Sequence, residues 1–235
     1  LERNGLRIGL FGLMGHDAAE DCPYSVPVTF ADITERSRAL VDLLRNREKV
    51  DLILLLSHVG THPVKSRSED EILAREVPGI DVIISGHTHT VLPEPILVGK
   101  TIIVSAGCFG AYLGVLDLDW SRDEGARVAA YRLEKISSDL PEDPGIAREI
   151  EKYKGILNQR YLAATGNSHD EVIAESSFDF PSSAYGQTKL AETGLGNLIT
   201  DAYRFAVRRA EGKAYRHVHV AVTFDGIIRV TFLSG

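Results

Sequence analysis

Two stretches with the same sequence pattern decide the fold: VDLILLLSHVG at residues 50–60 and IDVIISGHTHT at residues 80–90. Each begins with a nearly continuous apolar run, which is typical of a strand buried on both faces of a parallel sheet. Each run ends at a serine, and a histidine follows within two residues. Between them, residues 69–76 have the pattern of a short helix that ends at Pro78 and Gly79. Strand, helix and strand in this order predict an α/β layered sheet.

The flanking sequence extends this pattern in both directions. Residues 6–13 form an apolar run that predicts a strand, and residues 31–47 have apolar positions at helical spacing with charges between them. Further strands are predicted at 101–105, 113–120 and 128–136. The first part of the chain is therefore expected to be an α/β sheet that ends in sequential antiparallel strands.

Composition excludes several classes of protein. The 235 residues carry a net charge of −7 and show no basic patch, which argues against binding of nucleic acid through its phosphates. The longest apolar runs are far shorter than the roughly 20 residues that a membrane span needs. Cys22 and Cys108 are the only cysteines, so the sequence has neither a disulfide framework nor a closely spaced metal-binding cysteine pair.

A linker then leads into a second region. Asp143 suits the N-cap of a helix and Pro144 its first turn. Apolar residues that recur every three or four positions are expected to be buried as one face of this helix: Ile146, Ile150, Tyr153 and Leu157. We therefore divide the chain into a domain at 1–140, a bridging helix at 141–163 and the start of a second α/β domain at 164–235.

Three histidines directly follow buried strands in this prediction. His58 follows the strand at 50–56, and His87 and His89 follow the strand at 80–85. Functional groups of α/β proteins gather at the carboxyl edge of the parallel strands, so the three side chains are expected to lie together there. Imidazole suits Zn, Mn, Fe or Ni. Three histidines so placed favour a metal site over hydrogen-bonded loop histidines.

Motifs of the first region stand in a fixed order: LSHVG at 56–60, GIDVIISGHTHT at 79–90, IVSAG at 103–107 and YLG at 112–114. Together they resemble the calcineurin-like metallophosphoesterases, and the likeness runs over residues 6–120. The most similar branch contains the 5′-nucleotidases and 2′,3′-cyclic nucleotide phosphodiesterases. The resemblance implies a metal-dependent phosphoric ester hydrolase. It also implies a layered β-sandwich flanked by helices, of which this chain, beginning at Leu1 without Met, is expected to hold an incomplete part.

That family holds two metal ions with ordered motifs, and the last two histidine motifs are present here. By resemblance, His58 and His87 bind one divalent ion and His89 binds the other, the ions being Zn, Mn or Fe. The earlier motifs, Asp-x-His, Gly-Asp-x-x-Asp and Gly-Asn-His-Asp/Glu, are absent from the sequence before His58. The chain therefore offers no candidate for the bridging aspartate or the catalytic histidine, and we expect it to be inactive alone.

The second region resembles the C-terminal nucleotide-binding domain of the same branch, beginning with ETGLGNLITDA at 192–202. Its pattern predicts strands at 171–177 and 217–224 on either side of a helix. FDGIIR at 224–229 resembles that domain's Asn-Gly-Gly-Gly-Ile-Arg motif with three positions changed. Arg229 is therefore a candidate substrate-binding residue, and a solvated arginine at a strand end is the open alternative. The resemblance implies nucleoside 5′-monophosphates as substrates and export to the periplasm or cell surface.

Two other histidine motifs fit turns or the surface better than a metal site. GNSHD at 166–170 follows the other motifs instead of preceding them, and its residues are turn formers. GHD at 15–17 reverses the required order and is expected at the surface. Cyclic 2′,3′-nucleotides, nucleotide sugars and the thiosulfohydrolase branch stay open as substrate alternatives. So does a catalytically incomplete chain with a binding or structural role.

Overall fold

The computed structural model describes residues 1–20, 22, 24–180 and 193–223. The chain divides into a first unit, Leu1–Pro141, and a second unit that begins at Glu142. This division falls beside the linker predicted from the sequence, and the assignment of the units to two domains stays a prediction.

The first unit is built on the strands β1 (Glu2–Arg3), β2 (Leu6–Met14), β3 (Leu52–His58), β4 (Val82–Ser85), β5 (Ile96–Val98) and β6 (Thr101–Val104). They form one sheet in the order β1-β2-β3-β4-β6-β5. The central strands β2, β3, β4 and β6 are parallel, and the short strands β1 and β5 pair antiparallel at the edges. The predicted α/β fold with a parallel core is confirmed.

Helices α1 (His16–Glu20), α2 (Ile33–Asp42) and α3 (Glu69–Glu76) connect the parallel strands. The Asp32 side chain caps α2 by accepting a hydrogen bond from the Glu35 N–H. α3 has the predicted bounds, and its first turn is acidic, where the helix dipole favours negative charge. One face of the sheet packs with α2 and α3 in a core of Val41, Ile53, Leu55, Leu73, Ala74, Val77, Ile80, Ile83 and Ile103.

An antiparallel hairpin of β7 (Tyr112–Ser121) and β8 (Gly125–Lys135) covers part of the other face. Its inward residues pack against Val82, Ile102 and Val104 of the sheet. The unit is thus layered as helices, sheet and hairpin, and its last two strands are sequential and antiparallel, as the sequence predicted. Nearer the β2 side, the hairpin face stays open: Leu10, Leu56 and Ile84 are 45%, 47% and 44% exposed.

The described part of the second unit is mainly helical. α4 (Pro144–Leu157) is capped by Asp143. It continues as a π-helical segment, Asn158–Leu162, and then as a 3-10 turn, Ala163–Thr165. α5 (Gly194–Glu211) is capped by the Thr193 hydroxyl. In the described residues, no helix is both long and apolar enough to cross a bilayer.

Two predictions for the second unit are wrong in the described residues. Residues 171–177 and 217–223 form no strand, and Phe224 lies outside the described residues. Ile146, Ile150 and Tyr153 of the bridging helix are 63%, 51% and 64% exposed instead of buried. Both errors have one cause, since a local period shows which residues share a face but not whether a partner covers it.

We expect Ile83→Ala to lower the free energy of unfolding by about 2–5 kcal/mol, because it leaves a cavity in a fully buried site. Ile150→Ala is the matched control, with the same atoms removed from an exposed helix face. Its effect should stay within about 0.5 kcal/mol in the same denaturant titration. Equal losses in the two variants would show that the α4 face is packed.

Candidate metal centre

The carboxyl ends of β3 and β4 bring two of the predicted histidines together. The strands are parallel neighbours, and Ser57 lies opposite Ser85 in their register. His58 ends β3, and His87 follows the end of β4 by two residues. Their ring centroids are 4.9 Å apart, with the ring planes tilted by 58°. The predicted meeting at one sheet edge is therefore observed for this pair.

His89 lies in the same loop as His87, and its ring packs edge-on against Phe109 at a centroid distance of 5.3 Å. His87 and His89 both have left-handed backbone, with φ of +71° and +56°. This conformation costs a residue other than glycine roughly 1–2 kcal/mol, and it clusters at functional sites. Asn4, Lys49, His87, His89 and Phe109 have it in the described chain. Three of the five belong to this site, so the strain is concentrated here.

Threonine hydroxyls tie the loop after β3 to the loop after β4. Thr88 Oγ1 accepts a hydrogen bond from the Thr61 N–H at 3.2 Å and lies 3.1 Å from Thr90 Oγ1. The Thr90 hydroxyl donates to the Thr61 carbonyl at 3.4 Å, and the Thr90 carbonyl accepts from Ser105 Oγ at 2.6 Å. Because these bonds cross between the loops, they hold the two histidine-bearing segments in one arrangement.

A buried carboxylate next to these strand ends was missed by sequence reasoning. Asp70, in the first turn of α3, is 0% exposed. It accepts hydrogen bonds from Ser57 Oγ at 2.6 Å, from the Gly60 N–H at 3.1 Å and from Ser85 Oγ. Burial raises the pKa of Asp70 above its ordinary value, and these hydrogen bonds act in the opposite direction. A serine at the end of each buried strand was the available signal, because a buried hydroxyl requires a partner.

The separation of the two rings fits one shared ion. Two imidazoles that bind one ion at about 2.1 Å and at a tetrahedral angle hold their ring centroids roughly 5 Å apart. His58 and His87 meet this condition at 4.9 Å. Within the described parts of the chain, however, no group of three or more His, Cys, Asp or Glu side chains could hold a metal ion. This part of the chain therefore presents an incomplete set of ligands.

An open depression of about 560 Å³ adjoins His58. The ends of three parallel strands line it, through Gly12, Leu13, Met14, Leu56, Ser57, His58, Ile84, Ser85 and Gly86. It lies on the face of the sheet that the hairpin leaves open. A ligand at this pair of histidines would therefore be reached from solvent.

The remaining candidates lie elsewhere. Arg229, predicted to bind substrate, lies outside the described residues. His16 is at the surface, as predicted, and its Nδ1 is 3.4 Å from Glu20. His169 is exposed in the turn after the bridging helix, where its Nδ1 is 2.9 Å from Asp170.

The fold and these histidines define an α/β domain with a candidate metal centre at the carboxyl edge of a parallel sheet. Residues 12–91 match the family model of the calcineurin-like phosphoesterases. Over these residues the match confirms the resemblance to the calcineurin-like phosphoesterases that the sequence motifs indicated.

Proteins that are similar over almost the whole chain include nucleotide phosphoesterases. The chain is 27% identical over 240 residues to the trifunctional nucleotide phosphoesterase protein YfkN of Bacillus subtilis (strain 168), covering 100% of this chain and 15% of that protein. It is 27% identical over 248 residues to a 5′-nucleotidase of Diplobatis ommata, covering 97% and 40%. The structure of the 5′-nucleotidase precursor from Thermus thermophilus matches with a TM-score of 0.75 at 25% identity, covering 99% and 45%. The chain thus spans less than half the length of these relatives.

We expect Gly60→Ala to disrupt the loop that follows His58. Gly60 has a φ of +103°, and a Cβ there would overlap the Thr88 side chain. Gly99→Ala is the matched control, because Gly99 has a φ of +60° with nothing within 4 Å of the added Cβ. Gly60→Ala should lower the free energy of unfolding by at least about 2 kcal/mol more than the control, by denaturant titration. Equal effects would contradict the contact.

The free energy of unfolding should depend on pH through Asp70. The raised pKa of Asp70 means that the folded state binds its proton more strongly than the unfolded state does. The contribution of Asp70 to stability is therefore greatest below its ordinary pKa and is lost as the pH rises through the raised value. The free energy of unfolding of the wild type should fall relative to Asp70→Asn by up to about 1.4 kcal/mol per pH unit in that window. A constant difference from roughly pH 3 to 8 would contradict it.

Proposed function

We propose that the intact protein is a metal-dependent phosphoric ester hydrolase of the 5′-nucleotidase type, and that this chain supplies part of its active site. One observation carries the proposal. His58 and His87 lie in ring contact at the carboxyl ends of two parallel strands within a calcineurin-like phosphoesterase domain. The strained backbone of the loop after β4 supports it, since such strain is kept where a site requires it.

In this proposal the histidines of the chain hold and orient two divalent ions, Zn, Mn or Fe. His58 and His87 contribute to one site and His89 to the other. Bound divalent cations polarise a phosphate ester and lower the pKa of an attacking water. The Thr61, Thr88 and Thr90 hydrogen bonds fix the two loops relative to each other, which keeps the imidazoles in place before the ions arrive.

Nucleoside 5′-monophosphates are the proposed substrates. The relatives from Diplobatis ommata and Thermus thermophilus are named 5′-nucleotidases, and the Bacillus relative is named a nucleotide phosphoesterase. Arg229 is proposed to contact the nucleotide. A periplasmic or cell-surface location is part of the same proposal, and the Thermus relative is itself described as a precursor.

A chain without catalytic function, with a binding or structural role, is the second candidate. The incomplete ligand set in the described residues favours it. The reading frame of the protein distinguishes the two. Asp-x-His and Gly-Asn-His motifs encoded ahead of Leu1 would support the enzyme, whereas a start of translation near Leu1 would support the second candidate.

We expect the 235-residue chain to bind Zn²⁺ weakly and to show no turnover of a nucleoside 5′-monophosphate with excess Mn²⁺ or Zn²⁺. Catalytic zinc needs about three protein ligands and an open position. In the proposed site this chain supplies two ligands to one ion, His58 and His87, and one ligand to the other ion, His89. His87→Ala should weaken Zn²⁺ binding by at least about tenfold in calorimetry. His169→Ala is the matched control and should leave the affinity unchanged.

The assay needs a positive control of full length, such as the Thermus 5′-nucleotidase, under the same conditions. Turnover by the 235-residue chain comparable to that control, abolished by His87→Ala, would show that the catalytic site is complete in this chain. Cyclic 2′,3′-nucleotides, nucleotide sugars and a thiosulfonate ester belong in the panel, because the substrate alternatives differ in these compounds.

A further inference from the structure

Asp70 is the point where three segments of the candidate site meet. Its carboxylate accepts hydrogen bonds from Ser57 at the end of β3, from Ser85 at the end of β4 and from Gly60 in the loop after β3. Ser57 also accepts a hydrogen bond from the Val59 N–H at 3.2 Å. A single side chain on α3 is thus bonded to both strand ends from which the histidines continue.

The position is costly for a carboxylate. Asp70 is 0% exposed, and its three hydrogen-bond donors are two hydroxyls and one amide, all neutral. Burying a charge without a cation beside it is unfavourable, and a well-packed apolar group is often as stable or more so. A gain in folding stability therefore does not explain a carboxylate at position 70. A carboxylate can, however, accept hydrogen bonds from three donors and so fix their relative positions.

The pleat of the sheet connects this carboxylate to the histidines. Successive residues of a strand point to opposite faces, so a bond that fixes Ser57 on the α3 side also fixes His58 on the open side. Ser85 occupies the equivalent position of β4, directly opposite Ser57, and only Gly86 separates it from His87. Gly86 itself approaches the site so closely that a Cβ would lie 3.6 Å from His58 Nδ1.

We propose that Asp70 is a positioning residue that holds β3 and β4 in the register and spacing that places His58 and His87 on one metal ion. This inference rests on the proposed metal site. Asp70 touches neither ion nor substrate in this role. It acts through Ser57, Ser85 and Gly60.

Two substitutions of Asp70 should disturb its hydrogen bonds to different degrees. In Asp70→Asn, the amide oxygen can still accept from Gly60 and Ser85, but the amide NH₂ must face Ser57, which has to reverse its role from donor to acceptor. In Asp70→Ala, all three hydrogen bonds are lost. The positioning role therefore predicts an intermediate effect for the asparagine variant and a full effect for the alanine variant.

The matched control is Glu71→Gln. Glu71 is a second buried carboxylate of α3. It accepts from Lys65 Nζ at 2.8 Å and from Ser68 Oγ at 2.9 Å, and neither partner belongs to a strand end. Like the Asp70 variants, Glu71→Gln removes a buried carboxylate from α3. It should lower thermal stability without moving the histidine rings.

The experiment measures Zn²⁺ affinity by calorimetry, the nuclear Overhauser contact between the His58 and His87 rings in the metal-free chain, and hydrogen exchange at the Gly60 amide. Asp70→Ala should lower the affinity by about 10- to 100-fold. It should also remove the ring contact and speed exchange at Gly60 by at least about tenfold. Asp70→Asn should lie between it and the wild type, and Glu71→Gln should match the wild type in all three.

Every outcome decides the inference. Retention of the ring contact and the affinity in both Asp70 variants would overturn it, and so would equal losses in Glu71→Gln. If Asp70→Ala does not fold, Asp70→Asn and Ser85→Ala carry the same test. If the wild type binds no Zn²⁺ but keeps a ring contact that Asp70→Ala removes, the positioning role stands and the proposed metal function fails.

Discussion

The parallel pairing of β3 with β4 is the constraint on which the candidate site depends. Because α3 carries the chain back between them, both strands end at the same edge of the sheet. An antiparallel pairing would place His58 and His87 at opposite ends, roughly 20 Å apart. The pairing is held by the burial of Ile53, Leu55 and Ile83 against the helices, each with no exposed surface. The hydrophobic core therefore brings the two histidines to the same edge of the sheet.

The register matters as much as the direction. A slip by one residue turns every side chain of a strand to the other face. In β3 it would turn His58 towards α3 and Ser57 towards the open depression. Burial of the apolar residues resists such a slip along the length of the strand, and the bonds of Asp70 resist it at the end. Core burial and the hydrogen bonds of Asp70 therefore both oppose a register slip of β3, the first along the strand and the second at its end.

Much of the first unit could be predicted from the sequence because its signals are local. The end of α3 follows from Pro78 and Gly79, and β3 and β4 follow from apolar runs. The role of Asp70 could not be predicted, because its partners lie 10 to 15 residues away and meet only in the folded topology. The same reason explains the exposed Ile150, since the helical period does not say what covers a face.

Electrostatics explains why three histidines do not make a two-metal site. Two divalent ions about 4 Å apart repel each other by roughly 16 kcal/mol at an effective dielectric constant of 20. Neutral imidazoles leave this repulsion uncompensated, whereas a bridging carboxylate offsets it with negative charge on both ions. The Asp70 carboxylate cannot serve, because it faces the α3 side of the sheet and accepts from three donors already. On this argument the dinuclear centre of the proposed enzyme depends on a carboxylate that the described strand ends do not supply.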